Sequence, residues 1–311
     1  MAAALARNRI KHRALRLNHL LPNHLRDERL LSVDEAPATG WVNTFLTTKT
    51  EIISHISELG ITLTEKHAKF DHVCPKVLSF PAEYRANLAR SDHIKSGKLI
   101  LQDRAFCLAP ALMNKILEEL SLRGTVAQSH VISPRATAYL ATVLLDNEKI
   151  EKVLAFGTGS RSKEYQTYLE NLGVEKCELR PERWCDVPPD AELIESVVAV
   201  LATPPTSWTG IADPVDLVCS RSGDMDMLRA LTQTRRGRDA LLLEEQRDTL
   251  RFSMSLPQVQ VVVYESHSMS REENAGMVNG AVECMNEWAR QKHAEEQRLI
   301  QEQEEGKSKF R

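Results

Sequence analysis

Lys152-Val153-Leu154-Ala155-Phe156-Gly157-Thr158-Gly159-Ser160 is the stretch that decides the fold. An apolar run of strand length breaks on two glycines, and residues 162–172 then read as a helix stopped by Gly173. Strand, glycine turn and helix in that order make one unit of an α/β sheet. Upstream, Val126-Ala127 and Val131-Ile132 precede a helix over 134–145, which opens on Ser133 as N-cap and Pro134 at the first helical position. Downstream, Val197-Val198-Ala199-Val200-Leu201 and Gln260-Val261-Val262-Val263-Tyr264 suit strands buried on both faces, and a helix over 238–250 separates them. The alternation predicts right-handed crossovers and a doubly wound, mostly parallel sheet. Ligands of such sheets bind outside the carboxyl ends of the strands, which here means residues 128–136, 157–160, 203–210 and 265–269.

The segment before this pattern reads as a small α/β lead-in domain over 30–95. Trp41-Val42-Asn43-Thr44-Phe45 is a short strand, and 51–59 is a helix with Ile52, Ile53, Ile56 and Leu59 on one side, stopped by Gly60. A strand at 98–101 and a helix over 110–122 open the larger domain, placed at 96–286. Ser270 with Glu273 three residues later is a capping-box start for a long helix. From Glu287 its charges alternate in sign, the mark of a solvated helical tail over 287–311.

The chain has 311 residues, 42% hydrophobic and 27% charged, with a net charge of −3. That affords a sizeable core and argues against a surface coated in positive charge, while leaving room for local basic patches. Six cysteines carry no C-x-x-C spacing, so neither a zinc site nor a disulfide framework is expected, and no metal is called for. No apolar run approaches the roughly 20 residues that span a bilayer. An intracellular protein of nucleus or cytoplasm is expected, with no membrane partner. Residues 1–29 form a basic arm, acid-free to Arg26, which is also compatible with a mitochondrial presequence. The Gly157-Thr158-Gly159 turn has the setting of a dinucleotide fingerprint, but its third glycine falls on Ser162 and no acid marks the next strand end.

The order of several segments carries more. Trp41-Val42-Asn43-Thr44, then Leu101-Gln102-Asp103-Arg104-Ala105, then the strand and helix at 126–144, then Thr203-Pro204-Pro205-Thr206-Ser207-Trp208-Thr209-Gly210, then Tyr264-Glu265-Ser266-His267-Ser268 and Glu272-Glu273-Asn274 follow one another. This series resembles the Nop/Sun RNA cytosine-5 methyltransferases, with their R-x-N-T, Q-D-A-S, D-x-C-A-A-P-G-G-K-T, D-x-P-C-S-G, Y-S-T-C-S and E-E-N-E segments. It covers roughly residues 40–285 and looks most like the divergent seventh vertebrate paralogue of that set. The resemblance implies a Rossmann-like methyltransferase fold, S-adenosyl-L-methionine as cofactor and RNA as partner. It also implies a covalent mechanism: the cysteine of Y-S-T-C-S attacks carbon 6 of cytosine as a thiolate, the cysteine of P-C-S assists release, and the preceding aspartate polarises the base.

Carried over position by position, the resemblance puts His267 where the family has its nucleophile, Thr206 at the release position, Thr203 at the aspartate and Ala136 at the cofactor-loop lysine. No catalytic residue is therefore expected. The cofactor pocket becomes a vestige formed by Gln128, Ser133, Pro134, Arg135, Gly157, Asp186 and Thr203, in which Gln128 and Gly157 replace acids and S-adenosylmethionine binding is in doubt. Cys107 and Cys219 read as packed core thiols, not substitute nucleophiles. Trp208 takes the place of a small residue, as a plug for the vacated pocket or as a base-stacking ring. Arg235, Arg236, Arg238, Lys98 and Arg104, with Lys95 beside them, are candidates for RNA phosphate. The family continues past E-E-N-E with strands that close the sheet, so a protein partner is expected at the edge beside 260–264 and on the C-terminal helix. Three functions follow: a degenerate methyltransferase keeping RNA or partner binding, an active RNA cytosine-5 methyltransferase, or a protein-interaction module.

Overall fold

A computed structural model describes residues 36–64, 68–211, 214–221 and 238–308, with Lys11, Asp224 and Met227 besides. Two sheets carry the fold. The first joins β1 (Ala38–Val42), β2 (Lys69–Phe70), β3 (Val77–Phe80) and β4 (Leu99–Leu101) in the order β2-β3-β1-β4. All three pairings are antiparallel. The second joins β5 (Gly124–Gln128), β6 (Ile150–Ala155), β7 (Cys177–Leu179), β8 (Val197–Ala202) and β9 (Val261–Tyr264) in the order β7-β6-β5-β8-β9. Every pairing there is parallel, as the alternating pattern requires.

The parallel sheet is wound on both faces, and the period of two assigns each residue its layer. Val126, Val153, Ala199, Leu201 and Val263 pack beneath α2 (Ala105–Glu119) and α3 (Pro134–Leu144). The intervening Ala127, Leu154 and Val200 face Trp184 and Leu256, the latter just past α6. Besides short helices at Arg85–Arg90 and Asp92–Lys95, there are α1 (Lys49–Glu58), α4 (Ser162–Asn171), α5 (Pro214–Ser220), α6 (Arg238–Ser255) and α7 (Ala275–Ser308).

The antiparallel sheet lies over the helices of one face. Trp41, Val77 and Ile100 share a core with Ala138, Tyr139 and Val143 of α3 and Leu169 of α4. Its other face buries Ile52 and Ile56 of α1. Caught between two sheets, every residue of α3 except Arg135 is buried. The strand Leu99–Leu101, expected beyond a boundary at 95/96, pairs with β1 instead, because Ile100 fits this interlayer core.

Several motif residues prove to be fasteners between the layers. Fully buried Asn43 donates through Nδ2 to Gly97 O (3.0 Å) and to Leu172 O at the end of α4 (2.9 Å). Lys76 reaches Thr142 O of α3 at 2.5 Å and pairs with Asp146 at 2.9 Å. Trp41 Nε1 donates to Gln102 Oε1 (3.1 Å). Helix α2 begins five residues earlier than the expected Pro110 and carries that proline inside. The missing N–H of Pro110 frees the carbonyl of Phe106, and Gln102 Nε2 donates to it at 3.4 Å. The helix at 275–308 likewise starts later than the Ser270 capping box predicts. Glu273 is engaged elsewhere, as described below.

Asn43→Ala strands two buried carbonyls and is expected to cost about 2–3 kcal/mol, read as a lowered midpoint in urea with an unchanged slope.

Candidate functional site

Strand order reverses between β5 and β8, so the ligand crevice of this sheet belongs outside their carboxyl ends. The chain's own polar groups meet there. Ser129 Oγ accepts from Thr203 N (2.9 Å) and lies 2.9 Å from His130 Nδ1. Thr203 Oγ1 donates to His130 O at 2.6 Å. The far nitrogen of His130, Nε2, lies 3.0 Å from Glu245 Oε1 of α6, and Arg183 holds the other oxygen of that carboxylate at 2.5 Å. Thr137 Oγ1 donates to Gln128 Oε1 at 2.8 Å. The turn into α3 is fixed as the sequence predicts, with Ser133 Oγ accepting from Ala136 N at 3.2 Å. From the far side Arg221, just past α5, donates to the carbonyl of Ile132, and Asp224 receives both Arg221 Nε (3.0 Å) and Arg161 (3.2 Å).

A second cluster joins the loop 203–210 to the loop 265–270, and Glu273 ties them together. Its carboxylate accepts from Ser207 N (2.7 Å), Ser268 Oγ (2.7 Å) and Gln246 Nε2 (3.1 Å). Burial alone would raise its pKa, but these donors outweigh burial and hold it below the ordinary 4.5. Beside them His267 is buried, with Nε2 2.6 Å from Glu265 Oε1. The imidazole lies between two rings, Phe106 at 4.2 Å and Trp208 at 5.6 Å with planes 17° apart. Trp208 adopts φ of +58°, a conformation non-glycine residues rarely take. Thr206 is buried, with its Oγ1 3.4 Å from Trp208 N. The neighbouring thiol, Cys107, is buried and pushed well above its ordinary pKa by that burial, so no thiolate is at hand.

The chain is 28% identical to NSUN7 of Mus musculus over 91% of its own length and 40% of that protein. It is 27% identical to the 28S rRNA (cytosine-C(5))-methyltransferase of Mus musculus, over 83% of this chain and 56% of that one. Among solved structures it resembles PH0851, with a TM-score of 0.57 at 18% identity over 83% of this chain and 53% of the other, a likeness of fold. The chain thus spans about half the length of the relatives it matches. No family model matches. Its homologues are Nop/Sun-type proteins.

S-adenosylmethionine is the cofactor of the Nop/Sun family, and the crevice of this chain gives a direct test of fit. Neither Gln128 nor Gly157 offers a carboxylate to ribose hydroxyls. The Glu245 carboxylate at the crevice is taken by His130 and Arg183. A side-chain carbon built on Gly157 would touch His130 Cα and Cδ2 at 3.7 Å, so that residue stands against the turn. No buried side-chain polar atom of residues 128–137 or of Thr203 lacks a partner. These residues do not fit the donor.

The remaining Nop/Sun positions fall in different places. Thr203 joins the crevice, while Thr206 and His267 sit in the second cluster. Arg135 turns out of the pocket expected to hold it and donates to Leu101 O of the antiparallel sheet at 2.6 Å. Pro134 and Ala136 are buried in α3. Asp186 pairs with Arg183 at 3.6 Å. Cys219 corrects the expectation of a packed thiol: it is exposed, because Leu217 and Val218 are the residues α5 buries. Of the RNA candidates, Arg104 is bound by Asp71 at 2.5 Å and Lys95 by Asp92 at 3.5 Å, while Lys98 is partly buried. Arg235, Arg236, the side chain of Arg238 and the N-terminal arm lie outside the described residues. The sequence reading missed His130 and Glu245 as partners, since 115 positions separate them.

A carboxylate titrating lower in the folded than in the unfolded chain adds stability above its unfolded pKa and loses it as pH falls through the folded value. Glu273→Gln is therefore expected to lower stability at pH 7 by about 1–3 kcal/mol. The loss shrinks on acidification below the ordinary 4.5 of a glutamate, followed by thermal melts from pH 7 to 3. An equal deficit at every pH would rule out the charged role.

Proposed function

We propose that this Nop/Sun protein is a catalytically degenerate member that has kept a binding role, with RNA as the ligand class. The observation that carries the reading is the state of the nucleophile position: His267 is buried, clamped between Phe106 and Trp208, with Nε2 committed to Glu265. Attack on a pyrimidine carbon needs an exposed lone pair on a group that can leave again. A clamped imidazole fails the first condition, and the threonine hydroxyl at the release position is engaged by Trp208 N at 3.4 Å. The filled crevice at Ser129 and His130 supports the same reading from the cofactor side. RNA is carried over from the relative whose name gives 28S rRNA as its substrate.

Purified protein is expected to incorporate no tritiated methyl from S-adenosylmethionine into total RNA, and to give no saturable heat with millimolar donor in calorimetry. Binding of labelled RNA should persist in His267→Ala and weaken with salt. Methyl transfer that His267→Ala abolishes would overturn the proposal.

A further inference from the structure

Near the end of α1 two imidazoles face each other. His55 of α1 and His93 of the short helix Asp92–Lys95 stand with ring centroids 3.8 Å apart and planes 37° from one another. His55 has a counter-charge at hand, since its Nδ1 lies 3.0 Å from Glu58 Oε2. The Nδ1 of His93 is buried and has no hydrogen-bond partner among the described residues. The charged groups that face His93 are His55 and Glu58 from α1, Asp92 from its own helix and Lys98 from the turn that follows. Asp92 stands almost wholly in solvent, engaged by Lys95 at 3.5 Å, and Lys98 adds like charge. Burial, followed by His55 and Lys98, holds the His93 imidazole below the ordinary 6.5.

The turn behind this ring is a joint between the layers of the fold. His93 O accepts from Lys98 N at 3.0 Å, which closes residues 93–98 into one loop. Asn43 fastens that loop twice, through N to Lys98 O at 2.9 Å and through Nδ2 to Gly97 O, and the same Nδ2 reaches Leu172 O beyond α4. Gly97 takes φ of +73°, and a side-chain carbon there would meet Leu172 Cδ2 at 2.6 Å, so loop and helix end are in close contact. We propose that His55 and His93 form a proton-sensitive latch: when both imidazoles are charged the stack parts, and the 93–98 loop moves off α1 and loosens its hold on Asn43. Glu58 balances one proton on the pair. A second sets two cations face to face and leaves the buried Nδ1–H of His93 without an acceptor. A base kept neutral in the closed fold takes its proton more readily once released. The latch therefore holds above the ordinary 6.5 of a histidine and weakens as pH falls below it.

Carbon-13 labelled histidine in the full chain reads the latch directly by NMR. The His93 resonance, assigned by its loss in His93→Gln, is expected to titrate below 6.5. Its midpoint should move up in His55→Gln, which removes the facing imidazole. Hydrogen–deuterium exchange reads the consequence. Between pH 7.5 and 5.5, with intrinsic rates corrected, protection of the Asn43, Gly97 and Lys98 amides should drop about tenfold, the equivalent of one pKa unit. In His93→Phe, which keeps a ring in the stack and cannot titrate, the drop should be less than about twofold. A His93 midpoint at or above 6.5, a midpoint unmoved by His55→Gln, or an equal loss of protection in both proteins would overturn the proposal. The NMR titrations decide it even where His93→Phe fails to fold. None of these readouts involves RNA or the methyl donor, so the outcome is separable from the functional reading above.

Discussion

A parallel sheet ends its strands in a row of polar groups that something must satisfy, and what satisfies them decides what the fold can do. In a cofactor-binding sheet the ligand supplies part of that satisfaction. In this chain Ser129, His130 and Thr203 satisfy one another across the ends of β5 and β8. Glu245 and Arg183 then extend the network to α6 and the turn after β7. The His130 hydrogen bond is the largest influence on Glu245 and holds its carboxyl below the ordinary range, so the pair is formed with the acid ionised. A donor entering this crevice would have to break bonds that the protein already makes to itself.

The same economy explains which parts of the motif series endure. Asn43 and Gln102 belong to the segments resembling R-x-N-T and Q-D-A-S, and both fasten the antiparallel sheet to the helices beneath it. Glu273, from the segment resembling E-E-N-E, joins two loops by three accepted hydrogen bonds. Residues whose work is structural are present, whereas Thr206 and His267 stand where the resemblance to the family expects sulfur nucleophiles. Trp208 and Phe106 enclose the imidazole, and the positive φ of Trp208 is consistent with a loop held in place by its neighbours.

Much of the architecture could be read from periodicity. The runs at 152–156, 197–201 and 260–264 are strands within a residue or two, because a strand buried on both faces leaves a continuous apolar signal. Cys177–Leu179 went unread, being three residues with a charge in the middle. Pro110 misplaced the start of α2, since a proline inside a helix is tolerated only when another donor, here Gln102, serves the freed carbonyl. Ser270 and Glu273 satisfied a local capping rule that tertiary contacts overrode. Of the candidate site, the replaced positions were legible one at a time. Their grouping was not: His130 and Glu245 lie 115 positions apart, and no local rule links them.

Hydrogen–deuterium exchange of the amides at 128–136, 157 and 203, with and without millimolar S-adenosylmethionine, tests the closed crevice most directly. The account predicts that exchange there is slow and does not change when the donor is added. Donor-dependent protection confined to those amides would contradict it.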